Sequence, residues 1–408
     1  MRVLWFSVTP SLFNPISNSH NGGGWIASLE QIVRQHKEIE LGIAFYLGKD
    51  YKVYTNDGVR YYTLPSDGRH ALAKWMCPES AERRVKRYID VIEDFNPDVI
   101  QIFGSENDFG LVCGKTDVPI VIHIQGSMPP YHNALFPIGM NRYDFLFGRG
   151  LTWRRRLVGW RSEPSFRRDA SREIQILKSC RHFMGRTEWD RRIVGLFNPN
   201  ANYYHCEEAL RDSFIRSDKT WQGYGNGPFS IVSVISSPWY KGVDLILKTA
   251  KLLKENCSID FEWRVYGISD IRFFEKKYGI SANDVHVRIM GSVGKDKLVE
   301  SLCASSVYVH PSYIDNSPNS VCEAQYIGLP IIATNVGGIS SLIADGRSGM
   351  LVPANDPYTL ASKLKQLYET PDLATLMGAE ARKEAVRRHN PEQIGLRLIE
   401  IYRLVLQN

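Results

Sequence analysis

Across 408 residues the chain has no apolar run close to the roughly 20 residues that a membrane-spanning helix needs. It has no Cys-x-x-Cys pair, and its seven cysteines are odd in number and irregularly spaced. A zinc site and a disulfide framework are therefore both disfavoured, and a reducing compartment is expected. The dinucleotide fingerprint Gly-x-Gly-x-x-Gly is missing, because Gly24 is followed by Trp25, Ile26 and Ala27. A nicotinamide enzyme is disfavoured on that ground. Short internal repeats and low-complexity tracts are absent too. The opening stretch MRVLWFSVTPSLF carries a single Arg, and Pro10 breaks its apolar run. It makes a poor secretory signal and a good first buried strand, so a cytoplasmic address is expected.

What is present suits a soluble globular protein of about two domains: 43% hydrophobic and 23% charged residues, with net charge +6. The positive excess is uneven, with Arg concentrated over 149–192. Such a stretch reads as a solvated basic face or as a surface for an acidic partner: phosphates, an anionic glycolipid or the inner membrane leaflet. Nucleic acid is not expected, since no nucleic-acid-binding motif accompanies the charge.

Short apolar segments alternate with amphipathic ones. RVLWFSV, IELGIAFY, VRYYTLP, DVIQIFG and PIVIHIQG read as strands. AERRVKRYIDVIEDF reads as a helix stopped by Asn96-Pro97. Residues 215–228, IRSDKTWQGYGNGP, are polar, Gly-rich and aperiodic, and read as a linker. The alternation then restarts with FSIVSVI, FEWRVYG, VHVRIMG, SVYVH and LPIIATN as strands. The expected architecture is α/β: two doubly wound, mainly parallel domains over 1–214 and 229–390. The break at Asn390-Pro391 would let 391–408 return to the first domain. Ligands of such sheets bind beyond the carboxyl ends of the strands, and with two sheets the default place is a cleft between them.

Three stretches carry candidate chemistry. In NGGGW (21–25), glycines at a strand-to-helix turn let backbone N–H groups approach a phosphate, or simply make the turn tight. In SSPWYKGVDLI (236–246), Lys241 and Gly242 fall between a strand and a helix, where a Lys can reach an anion or stand in solvent. In SYIDNSPNSVCEAQYIGLPIIATNVGG (312–338), Asn316, Ser317, Asn319 and Ser320 are residue types that begin helices. Asp315 lies in the loop before that helix and Glu323 in its second turn. Either carboxylate can accept hydrogen bonds from hydroxyls without an unusual pKa; the alternative is a capping loop with an exposed Glu.

Together these stretches resemble the family-4 retaining glycosyltransferases with the GT-B fold, in order and spacing over nearly the whole chain. IDNSPNSVCEAQYIGLPIIATNVGG resembles that family's signature of Glu, seven residues, Glu-Ala, then Gly-x-Pro and Gly-Gly. YKGVDLILKTA resembles its Lys-Gly motif and NGGGW its first-domain glycine loop, while GRTEWD with YYHCEEALRDSF is similar to a bacterial subgroup. The resemblance implies two Rossmann-like domains facing each other across a cleft, with the acceptor held by the first and a nucleotide sugar by the second. Glu323 would accept from ribose hydroxyls, and Asp315 from hydroxyls of the donor sugar. Backbone N–H groups from Ser317 to Val321, including Asn319 and Ser320, would meet that sugar and the distal phosphate, with Asn316 beside them. Lys241 would neutralise the leaving diphosphate, Gly23 and Gly24 would close on it, and Gly291 would lie at the base pocket.

Departures from the pattern are also legible. The first signature Glu is Asp315, one methylene shorter, and the usual Arg beside the diphosphate falls at Ser236, leaving Arg186 as a replacement. Gln125 stands where a His is frequent, with His123 two residues earlier; these two, Glu106 and Arg186 are the acceptor-side candidates. His123 reads more readily as buried structure than as a base. The implied reaction is transfer of a sugar from a nucleoside diphosphate, UDP by family weight, to an acceptor hydroxyl with retained anomeric configuration. The acceptor would be a sugar or a lipid-linked glycan of surface polysaccharide or glycolipid assembly, and the enzyme would be cytoplasmic or peripheral at the inner membrane face. No metal or other cofactor is implied, and the chain lacks the metal-holding Asp-x-Asp of the other major glycosyltransferase fold. A glycoside hydrolase, a nucleotide-sugar epimerase of the same fold and a binding subunit that has lost catalysis stand as alternatives.

Overall fold

A computed structural model describes residues 1–13, 24–66, 79–148 and 153–407. They form two compact units. The first comprises Met1–Pro129, Arg168–Arg211 and His389–Asn408, and the second Pro130–Arg167 and Asp212–Arg388.

In the first unit the strands are β1 (Arg2–Phe6), β2 (Glu40–Tyr46), β3 (Lys52–Asn56), β4 (Val59–Leu64), β5 (Val99–Phe103), β6 (Ile120–His123), β7 (His182–Gly185) and β8 (Asn202–His205). They lie in the order β3-β4-β2-β1-β5-β6-β7-β8, all parallel except β3, which runs antiparallel to β4. Every residue of β3 is exposed, so it carries no inward stripe, and the periodicity of the sequence passes over it. Its turn, Asp57-Gly58, has both residues at positive φ, as a tight hairpin requires. The helix Ala81–Phe95 begins where Ser80 accepts from the Arg83 N–H and ends at Asn96 in the left-handed region. The helix Pro391–Gln407 buries Leu398, Ile401, Tyr402 and Val405 with Trp5 and Phe103 of the sheet. Trp5 Nε1 donates to the Tyr402 hydroxyl at 2.9 Å, and that hydroxyl donates to Gln101.

In the second unit β9 (Phe229–Val234), β10 (Phe261–Tyr266), β11 (Val287–Gly291), β12 (Val307–His310), β13 (Ile331–Thr334) and β14 (Met350–Val352) are all parallel, in the order β11-β10-β9-β12-β13-β14. The chain winds outward in one direction from β9 and in the other from β12, so the strand order reverses between these two. The loops beyond their carboxyl ends are where such a sheet binds ligands.

Two segments depart from the sequence reading. Residues 130–167, placed in the first domain by a boundary at 214, belong to the second unit. Phe136 and Met140 join the core under β9 and β10, and Lys277 Nζ donates to Asp144 Oδ1 at 2.8 Å. Nor is 215–228 a free linker. Trp221 donates its backbone N–H to Ile327 O and its indole N–H to Ser305 O, each at 2.8 Å, and the Tyr224 hydroxyl donates to Leu367 O at 2.7 Å. Two aromatic side chains thus pin a Gly-rich tract to the second unit's core, a long-range effect that local composition does not show.

Candidate functional site

The loop after β9 carries Lys241 and the loop after β12 carries Asp315, so strand order alone brings both to the switch point of the second unit. Two glycines make the approach close. Gly242, at φ +78, packs where a Cβ would lie 2.0 Å from the carbonyl oxygen of Pro311, and the Tyr313 N–H donates to Tyr240 O at 2.7 Å. Gly337, at φ +53, leaves no room for a Cβ, which would sit 1.8 Å from the Asp315 carbonyl; the Gly338 N–H donates to that same oxygen at 3.0 Å. Lys-Gly and Gly-Gly are therefore the two backbone clamps that fix the Asp315 loop.

Inside this clamp Lys241 Nζ and Asp315 Oδ2 form an ion pair. The same oxygen lies 2.8 Å from His310 Nε2 and 3.4 Å from Ser312 Oγ, while the Tyr131 hydroxyl donates to Asp315 Oδ1 at 3.3 Å. Burial alone would raise the carboxyl's pKa, but the Lys241 ammonium and the His310 ring hold it far below the usual carboxylate range. The result is a buried carboxylate that stays charged beside a cation.

The helix Asn319–Ile327 starts just beyond. Pro318, not one of the Asn or Ser residues expected to cap it, stands at its N-cap, and no side chain caps the first turn. The proline ring offers no side-chain acceptor, and the Pro318 carbonyl accepts from the Val321 N–H at 3.0 Å, so the N–H groups of Asn319 and Ser320 are the ones left without a side-chain cap. Ser317 Oγ is buried and unpartnered among the described residues. Glu323 lies in the second turn and is buried, not exposed. Burial pushes the neighbouring Tyr308 hydroxyl up; Ser320 hydrogen-bonds against that shift, and the charges of Glu323 and Asp315 add to it. Ser236, in the loop after β9, is exposed, and Gly291 closes β11 at φ +68 with open space around it.

The first unit holds the acceptor-side candidates after β5, β6 and β7, and here the structure corrects the sequence. Arg186 does not stand ready for a phosphate: it is buried in an ion pair with Glu208, itself 1% exposed. His123 is fully buried against Trp25 and Phe103, neither ring nitrogen has a partner among the described residues, and burial lowers its pKa to about 3. That placement speaks against contact with an acceptor. Gln125 and Glu106 are half-buried. Burial raises the Glu106 pKa, against the N–H groups of its own residue and of Gly126 and the charge of Arg186. Beside it, Glu173 accepts from Ser105 Oγ at 2.6 Å and from the Met128 N–H at 2.5 Å, and burial with the Glu106 charge pushes it up to about 7. Gly24 opens the helix Gly24–Val33, where a Cβ would touch Arg211 at 3.0 Å. Gly23 lies outside the described residues, as do 149–152 of the basic stretch; within that stretch Arg172 pairs with Asp169 and Arg191 with Glu188.

Sequence reasoning missed His310 and Tyr131. His310 had a signal, being the last residue of a buried strand five positions before Asp315. Tyr131 had none, because 184 residues separate it from its partner.

Residues 229–370 match the family described as Glycosyl transferases group 1. The second unit contains a glycosyl transferases group 1 domain. Lys241, Asp315 and Glu323 all lie within this group 1 domain. The chain is 28% identical over 240 residues to a D-inositol 3-phosphate glycosyltransferase of Arthrobacter sp. (strain FB24), covering 56% of each. It is 40% identical over 99 residues to one from Streptomyces scabiei, covering 24% of this chain and 22% of that protein. The chain thus spans about a fifth to about a half of the length of these curated relatives. Among solved structures, sucrose-phosphate synthase from Thermosynechococcus elongatus superposes with TM-score 0.71 at 14% identity, covering 100% of this chain and 99% of that one. Anabaena HepE in complex with UDP-glucose does so with TM-score 0.63 at 12% identity, covering 98% of both. The fold around the group 1 domain is GT-B.

Proposed function

We propose that this chain is a retaining glycosyltransferase that moves a sugar from a nucleoside diphosphate, with UDP first among candidates, to an acceptor hydroxyl in glycan assembly. The observation that carries the reading is the switch point of the second unit. A cation, a carboxylate held in its charged form and a helix start without a side-chain cap converge there on loops held by Gly242 and Gly337. The difficulty of the reaction is the departure of a diphosphate while positive charge builds on the sugar ring. Lys241 and the N–H groups of Asn319 and Ser320, at the start of the helix Asn319–Ile327, supply positive potential to the leaving group. That arrangement needs no divalent metal. Asp315 and Glu323 grip hydroxyls, the first of the sugar and the second of the ribose, so neither works as a glycosidase acid or base. On this reading retention needs no protein nucleophile, because the departing phosphate takes the acceptor's proton on the same face. A structural likeness to HepE, whose structure is a complex with UDP-glucose, supports UDP as the first nucleotide to try.

The test is a panel of nucleotide sugars incubated with the pure chain in EDTA, following thermal stabilisation and release of nucleoside diphosphate. Slow release from one donor, faster with an acceptor, is expected. Binding without release from any donor would show a binding subunit instead. Conversion of the donor to its epimer would show an epimerase.

A further inference from the structure

Asp315 stands where the resemblance places a longer glutamate, and its two oxygens are treated very unequally. Oδ2 is surrounded by Lys241 Nζ, His310 Nε2 at 2.8 Å and Ser312 Oγ at 3.4 Å, whereas Oδ1 receives the Tyr131 hydroxyl at 3.3 Å. The histidine's own surroundings fix how it bonds. Nε2 faces a carboxylate that can only accept, so it carries the proton, and Nδ1 lies 3.5 Å from the Tyr308 hydroxyl, which can donate to it. Burial lowers the ring's pKa while Asp315 opposes the shift, which keeps this neutral form. The backbone there is held as well, since Thr334 Oγ1 donates to the carbonyls of His310, at 3.3 Å, and of Ser312. His310 is thus a rigid donor at the end of a central strand, aimed at one oxygen of a shortened carboxylate.

We propose that His310 is a positioning residue for Asp315: its Nε2–H anchors Oδ2 in the loop and leaves Oδ1 presented to a hydroxyl of the donor sugar, where the Tyr131 hydroxyl now sits. This rests on the donor-site reading above and extends it. His310 itself touches no substrate. It fixes the orientation of the shorter carboxylate, and it keeps Asp315 hydrogen-bonded when Lys241 turns to a diphosphate. A sugar hydroxyl takes over the weaker contact of Tyr131, so the arrangement bears on the sugar and not on the nucleotide.

Two variants, His310→Leu and His310→Gln, are compared with UDP-glucose as donor probe, or with whichever nucleotide sugar the panel selects, and with the matching nucleoside diphosphate. His310→Leu is expected to lower kcat about tenfold or more, the value of one hydrogen bond to a charged group, while nucleoside diphosphate affinity stays within about threefold. His310→Gln, which keeps an N–H donor, is expected to recover most of the loss. Transfer by His310→Leu within about twofold of wild type, parallel loss of nucleotide affinity, or no recovery by Gln would each overturn the proposal. A second measurement needs no ligand and no leucine variant. In the nitrogen-resolved imidazole spectrum, with His310 assigned by its loss in His310→Gln, the proton belongs on Nε2 and Asp315→Asn shifts its resonance. A proton on Nδ1 overturns the role of His310 alone. A wild-type chain inert toward every nucleotide sugar overturns the donor-site reading and, with it, any role of His310 in transfer.

Discussion

At the carboxyl ends of their sheets the two units bury ionisable groups to opposite effect. In the second, Asp315 is buried beside Lys241 and His310 and stays charged. In the first, Glu173 is buried beside a second carboxylate, Glu106, while the nearby cation Arg186 is committed to Glu208, so Glu173 takes up a proton near neutrality. Burial is common to both, and the neighbour decides the charge. A site that keeps a fixed cation and anion can grip a diphosphate and its sugar. A site that keeps an exchangeable proton is fitted to something else, and its stability must depend on pH.

The comparison can be broken at its strongest point first. Arg186→Met leaves Glu208 buried and uncompensated, and should cost about 3–5 kcal/mol in urea unfolding of the chain. Adding Glu208→Leu should return more than half of it. A stable Arg186→Met protein that loses transfer would instead make Arg186 an acceptor contact. Next in size, Lys241→Ala should lower transfer about 10²–10³-fold and weaken nucleoside diphosphate binding, measured by steady-state kinetics and calorimetry. Turnover close to wild type would refute the assignment of Lys241. The smallest effect sharpens the other side. Glu173 is raised from 4.5 to about 7, so the folded state binds more protons than the unfolded one in that window. Its contribution to stability is complete below pH 4.5 and is lost as pH rises through about 7, amounting to as much as about 3 kcal/mol. Unfolding free energies at pH 5 and pH 8 should therefore differ less in Glu173→Gln than in wild type; equal differences would show that Glu173 holds no such proton.

The sequence was most readable where burial imposes a period. The helix Ala81–Phe95 and the buried strands β2 and β9 announce themselves by which residues face inward. Where an element is exposed throughout, as in β3, or held by distant partners, as at Trp221 and Tyr131, no local pattern exists to be read. The same divide runs through the site. Lys241, Asp315 and Glu323 were visible through motif spacing, and Gly242 and Gly337 turn out to be what that spacing serves. His310 looked like one more apolar-strand terminus, because its role depends on where a side chain five residues later folds back. Arg186 looked available because sequence cannot show that Glu208 already holds it.

The hydrogen bond between Trp5 and Tyr402 joins residues 397 positions apart. On a ribosome, β1 therefore emerges long before the helix that covers it, whereas the second unit has every strand it needs once Val352 is made. The first unit's core is therefore complete only after the last strand of the second unit has been made, although an amino-terminal domain generally folds first. The group 1 domain can close around its own core while β1, with Val3 and Trp5, still waits for Tyr402. Nascent chains halted before Pro391 would carry every strand of both units and still lack the helix that covers Trp5 and Phe103, so the first unit should be the one more open to protease in such chains.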